Sequence, residues 1–331
     1  MLFFDNKEQI KGANKMAKTL KESREFMEAM GIPGRDLWGL PSSTKTFPDG
    51  AQWRIEISGV EHPSTMKAMI DEARKRNVII HRAIVTVQGS TLSDFDELKA
   101  IAQMGRDEKI EVIATMGPRK TWDVGARAPG FSEGAMVGFR LRGSDNISYW
   151  LADMMRNIEA GFKGFLVLDE GILSIVTHMR EVDFIPQDIV FKWSAFGGYC
   201  SAAGAKVIEK MGANSLNPTS DVSLPILAGM RKAVNIPIDI YMFITDAEGG
   251  MFRIYEAPEV ARVASPCYFK IEPGTSQADI YKPWVTESWH SEFMREKIKE
   301  ASIFQEIMER YAPQLKLSKK GPSDLVLPDP K

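Results

Sequence analysis

Residues 189–244 read IVFKWSAFGGYCSAAGAKVIEKMGANSLNPTSDVSLPILAGMRKAVNIPIDIYMFI. An apolar, partly β-branched run at 189–195 is followed by a helical pattern over 201–211. A second short run at 213–218 and a second helical pattern at 222–233 follow, and a third run covers 236–244. Gly212 ends the first helix, and Asn235 before Pro237 ends the second. Strand, helix, strand, helix, strand at this spacing is the signature of parallel β/α units.

The same alternation continues in both directions. Strand-like runs lie at 52–58 (QWRIEIS), 78–87 (VIIHRAIVTV), 110–116 (IEVIATM), 164–169 (GFLVLD) and 266–272 (PCYFKIE). Helical patterns lie at 63–76, 92–107, 145–160, 171–181, 256–263 and 286–311, with Gly161 as a stop. Eight strands, each followed by a helix, predict an α/β fold of the (β/α)8 TIM-barrel type. The rival is a doubly wound open sheet, which would carry a GxGxxG turn after its first strand; none follows Ile57.

Three segments are expected. Residues 1–50 form an N-terminal helix and loop extension, with Ile10, Met16, Leu20, Phe26 and Met27 at helical spacing up to Gly31 and Pro33. Residues 51–315 form the catalytic barrel, and residues 316–331, with three prolines, an extended or disordered tail.

Composition narrows the function classes. The chain has 331 residues, 44% hydrophobic and 26% charged, the balance of a globular protein. Lys+Arg 42 against Asp+Glu 44 gives a net charge of −2, which argues against nucleic acid or an anionic membrane as partner. No run approaches the length of a membrane span, and no signal peptide is visible. Two cysteines, Cys200 and Cys267, make no disulfide framework, so a cytoplasmic protein is expected. Cys200 is read as a small packed residue.

Strand parity sorts the side chains. Trp53, Ile55 and Ile57 should face the helices, turning Arg54, Glu56 and Ser58 into the barrel. Ala83, Val85 and Val87 should face out, leaving Arg82, Thr86 and Gln88 inside. Glu111, Thr115, Lys192, Ser194, Ser215, Asn217, Asp239, Tyr241, Lys270 and Glu272 complete the inward set, and Asp169 or Glu170 should reach the mouth. Buried charges are costly unless paired, so such a set is either a structural ion-pair lattice or an active site. Lys192, Lys270, Glu272, Glu56 and Asp169 are the catalytic candidates. The lysines could serve as base, electrophile or Schiff-base former, and the acids as proton-transfer groups or metal ligands.

Loops supply candidate binding groups. Gly249 and Gly250 follow the seventh strand and Gly274, Thr275 and Ser276 the eighth, where barrels often hold phosphate or carboxylate on backbone N–H groups. A long loop after the third strand carries Arg119, Arg127, Arg140 and Arg142, suited to clamping an anion. Asn217 and Tyr241 could also touch substrate. The four histidines, His62, His81, His178 and His290, show no HxH or HExxH spacing, and His81 falls on the helix-facing side. A magnesium or manganese ion on Glu56, Asp169 and Glu272 is the metal reading, and the metal remains unassigned.

Met211-Gly212-Ala213, Asp221-Val222-Ser223-Leu224, Pro237-Ile238-Asp239 and Lys270 with Glu272 together resemble the peptidase U32 family. Its members have an LGA turn, a D/E-L-S-L helix start, a P-hydrophobic-E strand and an LKIEG strand. The resemblance covers about a quarter of the chain. It implies a barrel and a role for Lys270 and Glu272. The cysteine-rich signature that holds an iron–sulfur cluster in several members is absent, so no iron–sulfur cluster is expected.

These readings converge on a metabolic enzyme of lyase or isomerase type, acting on a small anionic substrate at the mouth. The alternatives are a U32-type hydrolase and a non-catalytic barrel subunit. Tyr281, Trp284 and Trp289, read as exposed aromatics, suggest a homo-oligomer contact.

Overall fold

A computed structural model describes residues 20–117, 140–282 and 284–330 of the chain. Its strands are β1 (Trp53–Val60), β2 (Arg82–Val85), β3 (Glu111–Ala114), β4 (Gly164–Val167), β5 (Val190–Trp193), β6 (Ser215–Leu216), β7 (Ile238–Phe243) and β8 (Cys267–Ile271). Seven fall inside the runs read from sequence, and β1 overlaps the run 52–58 and continues two residues beyond it, to Val60. They close into a barrel in sequence order, parallel throughout, with β1 pairing β8 through Glu56 opposite Lys270.

The helices are α1 (Leu20–Ala29), α2 (Pro63–Arg76), α3 (Phe95–Glu108), α4 (Gly143–Glu159), α5 (Glu170–Glu181), α6 (Ala202–Lys210), α7 (Leu224–Ala233), α8 (Ala257–Ala264), α9 (Gln277–Ile280) and α10 (Glu287–Tyr311). Helix α3 begins with a capping box, the Asp94 side chain accepting from Glu97 N while Glu97 reaches back to Asp94 N. Within the described residues α1 buries no side chain; Lys206 on α6 ties the turn after it by donating to Met30 O at 2.6 Å. Helix α10 packs chiefly along α2.

The main core lies between strands and helices, where Trp53, Ile55, Ile57, Ala83, Val85, Phe191 and Trp193 meet the helix stripes. A second apolar cluster lies inside the barrel and contains Ile84, Val87, Ile113 and Leu166. Val87 therefore points inward, contrary to the parity reading. Thr86 has φ 50 and ends the strand alternation, so the side chains after it exchange faces.

The segment after Ala312 is packed as well as extended. Leu317 bridges Trp53 in parallel, and Val326 N donates to Glu111 Oε1 at 3.2 Å. Arg54 grips Asp324 with two hydrogen bonds of 2.8 and 2.7 Å, and stacks on Phe47 from the loop before β1. His81 fixes the strap from above: Ile55 N donates to Nδ1 at 3.2 Å, so Nε2 carries the proton and donates to Ser318 O at 3.0 Å. The chain thereby crosses the amino ends of the strands.

Candidate functional site

The inward charged residues divide into two layers. The lower layer is a lattice. Arg82 pairs with Glu56 at 3.2 Å, with Asp239 at 3.1 Å and with Glu111, while Lys192 pairs with Glu56 at 3.1 Å and with Asp239. Ser215 donates to Asp239 Oδ2 at 2.8 Å, and Arg82 stacks on the Tyr268 ring at 3.6 Å. Burial pulls the Lys192 ammonium below its ordinary range against the attraction of Asp239 and Glu56. Burial would raise the Asp239 carboxyl, but Lys192 and Arg82 more than offset it and hold it low. Two of the catalytic candidates, Lys192 and Glu56, belong to this lattice.

Lys192, Arg82, Arg54, Glu111, Tyr268 and Asp324 also line a cavity of about 420 Å³ at the amino end of the barrel, under the C-terminal strap. Lys192 thus communicates with the face opposite the one where barrel active sites lie.

The upper layer forms at the carboxyl ends of β7 and β8. Lys270 Nζ donates to Tyr241 Oη at 3.0 Å and pairs with Glu272 Oε2 at 3.1 Å, while Tyr241 Oη donates to Glu272 Oε2 at 3.3 Å. From the other side Tyr281 Oη donates to Glu272 Oε1 at 2.9 Å. Lys297, from α10, donates to Tyr281 Oη at 3.2 Å and to Ser58 O at 2.8 Å. The donors run toward one carboxylate from two lysine ends, each through a phenol.

The electrostatics match that order. Burial would raise the Glu272 carboxyl, yet Lys270 and Lys297 hold it below its usual range, so it stays an acceptor. Burial and the nearby Glu272 and Glu61 carboxylates push the Tyr281 phenol well up, so it stays a donor. Burial brings Lys297 down to about 8 in spite of Glu272 and Glu61. Gly59 makes room for this group: with φ 94, a Cβ there would stand 2.5 Å from Lys297 Nζ and 2.7 Å from Tyr281 Oη.

Other candidates have local work. Asp169 caps α5, accepting from Gly171 N at 2.9 Å and Ile172 N at 3.2 Å, and takes Leu141 N at 3.3 Å on its second oxygen. Arg140 pairs with Glu170 at 2.6 Å and donates to Gly197 O, whereas Arg142 is exposed at the start of α4. Arg119 and Arg127 lie outside the described residues. Gly249 and Gly250 donate their N–H groups to Asp246 O and Thr245 O inside their own turn, which withdraws them from anion binding. Gly274 and Thr275 lend carbonyls to Asp246 N and Ala247 N, tying the two loops together, and the Ser276 side chain donates to Asp279 at 2.6 Å. Asn217 closes the end of β6, donating to Asp239 O at 2.9 Å with its Oδ1 buried and unpartnered.

Two expectations are corrected by position. Tyr281 is fully buried in the upper layer and offers no surface contact, although Trp284 and Trp289 remain exposed. Cys200 is exposed and Cys267 buried, so the packed thiol is the other one. Among the described residues Glu56, Asp169 and Glu272 do not converge as metal ligands. Each is engaged separately by the groups named above.

Sequence reading missed Tyr281 and Lys297. Lys297 had a legible signal, since it stands in the buried stripe of α10 with Met294, Ile298, Ala301 and Phe304. An ionisable residue at a core position of an amphipathic helix is a site candidate in its own right.

No family model and no curated protein sequence matches the chain. Among solved structures, it is similar to an aldolase from Escherichia coli K12 at 14% identity, covering 80% of this chain and 94% of the other, TM-score 0.45. It is similar to a U32 peptidase at 14% identity, covering 72% and 98%, TM-score 0.38. It is similar to D-psicose 3-epimerase from Clostridium cellulolyticum H10 at 10% identity, covering 76% and 99%, TM-score 0.43. Among the described residues no helix is long and apolar enough to cross a membrane.

Proposed function

We propose that this chain is an enzyme that moves a proton on a small anionic substrate, in lyase or isomerase chemistry, at the carboxyl end of its barrel. The observation that carries the proposal is the contact of Lys270, Tyr241 and Glu272, each at least 96% buried, at the ends of adjacent strands. A desolvated ammonium beside a phenol and a carboxylate can stabilise developing negative charge and relay a proton within one reach. Lys270 is the electrostatic group, Tyr241 the proton carrier and Glu272 the anchor that keeps both oriented. Lys297, through Tyr281, completes the relay from behind. The lattice below has the opposite character: its cations are saturated by carboxylates and serve to fix the interior.

A direct test uses proton exchange. The protein is incubated in D2O with a panel of 2-oxo and 2-hydroxy carboxylates and phosphorylated ketoses, and C–H signals are followed by proton NMR. Protein-dependent loss of a C–H signal, or product formation, from at least one compound is expected. Neither exchange nor turnover across the panel would overturn the assignment.

A further inference from the structure

Outside the proposed active site, the geometry points to a divalent metal site at the rim of the same barrel face, built by His62, Glu97 and Glu287. These three come from the starts of α2, α3 and α10, and their ligand atoms all lie within 4.8 Å of one another. His62 Nδ1 stands 3.8 Å from Glu97 Oε1. Ligand bonds of roughly 2.1 Å to one ion leave donor atoms about 3–4 Å apart, so this spacing needs little adjustment.

Each carboxylate is held by a hydrogen bond from a helix start. Glu97 Oε2 accepts from Asp94 N at 2.9 Å in the capping box, which leaves Oε1 toward His62. Glu287 Oε2 accepts from Ser64 Oγ at 2.7 Å. Such supporting hydrogen bonds are what orients metal ligands.

The imidazoles give the independent observation. His62 stands at the N-cap of α2 but makes no capping bond, and both its ring nitrogens are shielded from solvent without a hydrogen-bond partner. His290 lies one helical turn after Glu287, on the same face of α10, with its ring centroid 5.5 Å from that of His62. It is 97% buried; Nε2 is engaged by Ile280 O at 2.9 Å, while Nδ1 has no partner. Solvent-shielded, unpartnered imidazole nitrogens are costly unless something binds them. Imidazole and carboxylate together suit a borderline first-row ion such as zinc better than magnesium. An ion here would pin the starts of three helices, including the one that carries Lys297.

The test is calorimetric titration of the chelator-treated full chain with Zn2+, in a Cys200→Ser background so that the exposed thiol does not bind. One equivalent with Kd of about 1 μM or tighter and a raised Tm is expected, with imidazole scattering at the zinc absorption edge. Glu97→Gln and Glu287→Gln keep their hydrogen bonds to Asp94 and Ser64 and should each weaken binding about tenfold or more. His62→Ala should weaken it about 100-fold. Absence of stoichiometric binding, or binding unchanged in both Gln variants, would overturn the site even if His62→Ala failed to fold.

Discussion

Tyr281 donates its hydroxyl to Glu272 at 2.9 Å, joining the end of β8 to the segment that leads into α10. Through this bond Lys297 is coupled to Glu272, and its buried ammonium donates to Tyr281 Oη and Ser58 O. A charge held this way costs stability.

Lys297→Met measures that cost. Burial lowers Lys297 from 10.5 to about 8, so at pH 7 the folded state carries a disfavoured ammonium. The unfolded chain binds the proton more tightly, so stability should rise as pH increases from about 8 to 10.5. By linkage the penalty below pH 8 is on the order of 3 kcal/mol. Urea unfolding at pH 7 should show the methionine variant equal to or more stable than the parent, while proton exchange on the substrate falls. Marked destabilisation would instead make Lys297 a structural donor.

In the lattice the expectation has the opposite sign. Arg82→Met leaves Glu56 and Asp239 with Lys192 as their lattice cation and takes from Glu111 its Arg82 partner. Removing one partner from buried ion pairs costs about 3–5 kcal/mol, and denaturant midpoints should show a loss of that size. Lys192→Met should behave likewise, and the protein that does fold should keep its exchange activity. A stable, inactive Lys192→Met protein would return Lys192 to the chemistry.

Acid should loosen the strap. Burial lowers His81 from 6.5 to about 4, and its Nδ1 accepts from Ile55 N, which a protonated ring cannot do. The contribution is complete above pH 6.5 and is lost as pH falls toward 4, by about 3 kcal/mol. Hydrogen exchange at pH 7 and 4.5 should show residues 316–330 losing protection at the lower pH. His81→Gln should flatten that dependence. A pH-independent strap would contradict the assigned tautomer.

The barrel was legible because its evidence is local. Eight apolar runs and the stops at Gly161, Gly212 and Asn235 are read one segment at a time, and strand parity then fixes the inward set. Parity failed at Val87, where the left-handed Thr86 breaks the alternation. What parity does not carry is height along the barrel axis. Lys192 and Lys270 share the inward face, yet Lys192 pairs downward with Asp239 and Glu56 and Lys270 pairs at the mouth with Tyr241 and Glu272. Tyr281, Lys297 and the His62–Glu97–Glu287 cluster depend on where α10 returns against β1 and α2, a tertiary fact outside any single segment.

Lys270→Met tests the central claim most directly. It keeps the stem length and deletes the charge between Tyr241 and Glu272. With a compound that the parent protein exchanges, the variant's rate in D2O should fall about 100-fold or more, with Tm unchanged or higher. A variant that unfolds readily while the surviving protein exchanges at the parent rate would make Lys270 an ion-pair partner and move the chemistry elsewhere.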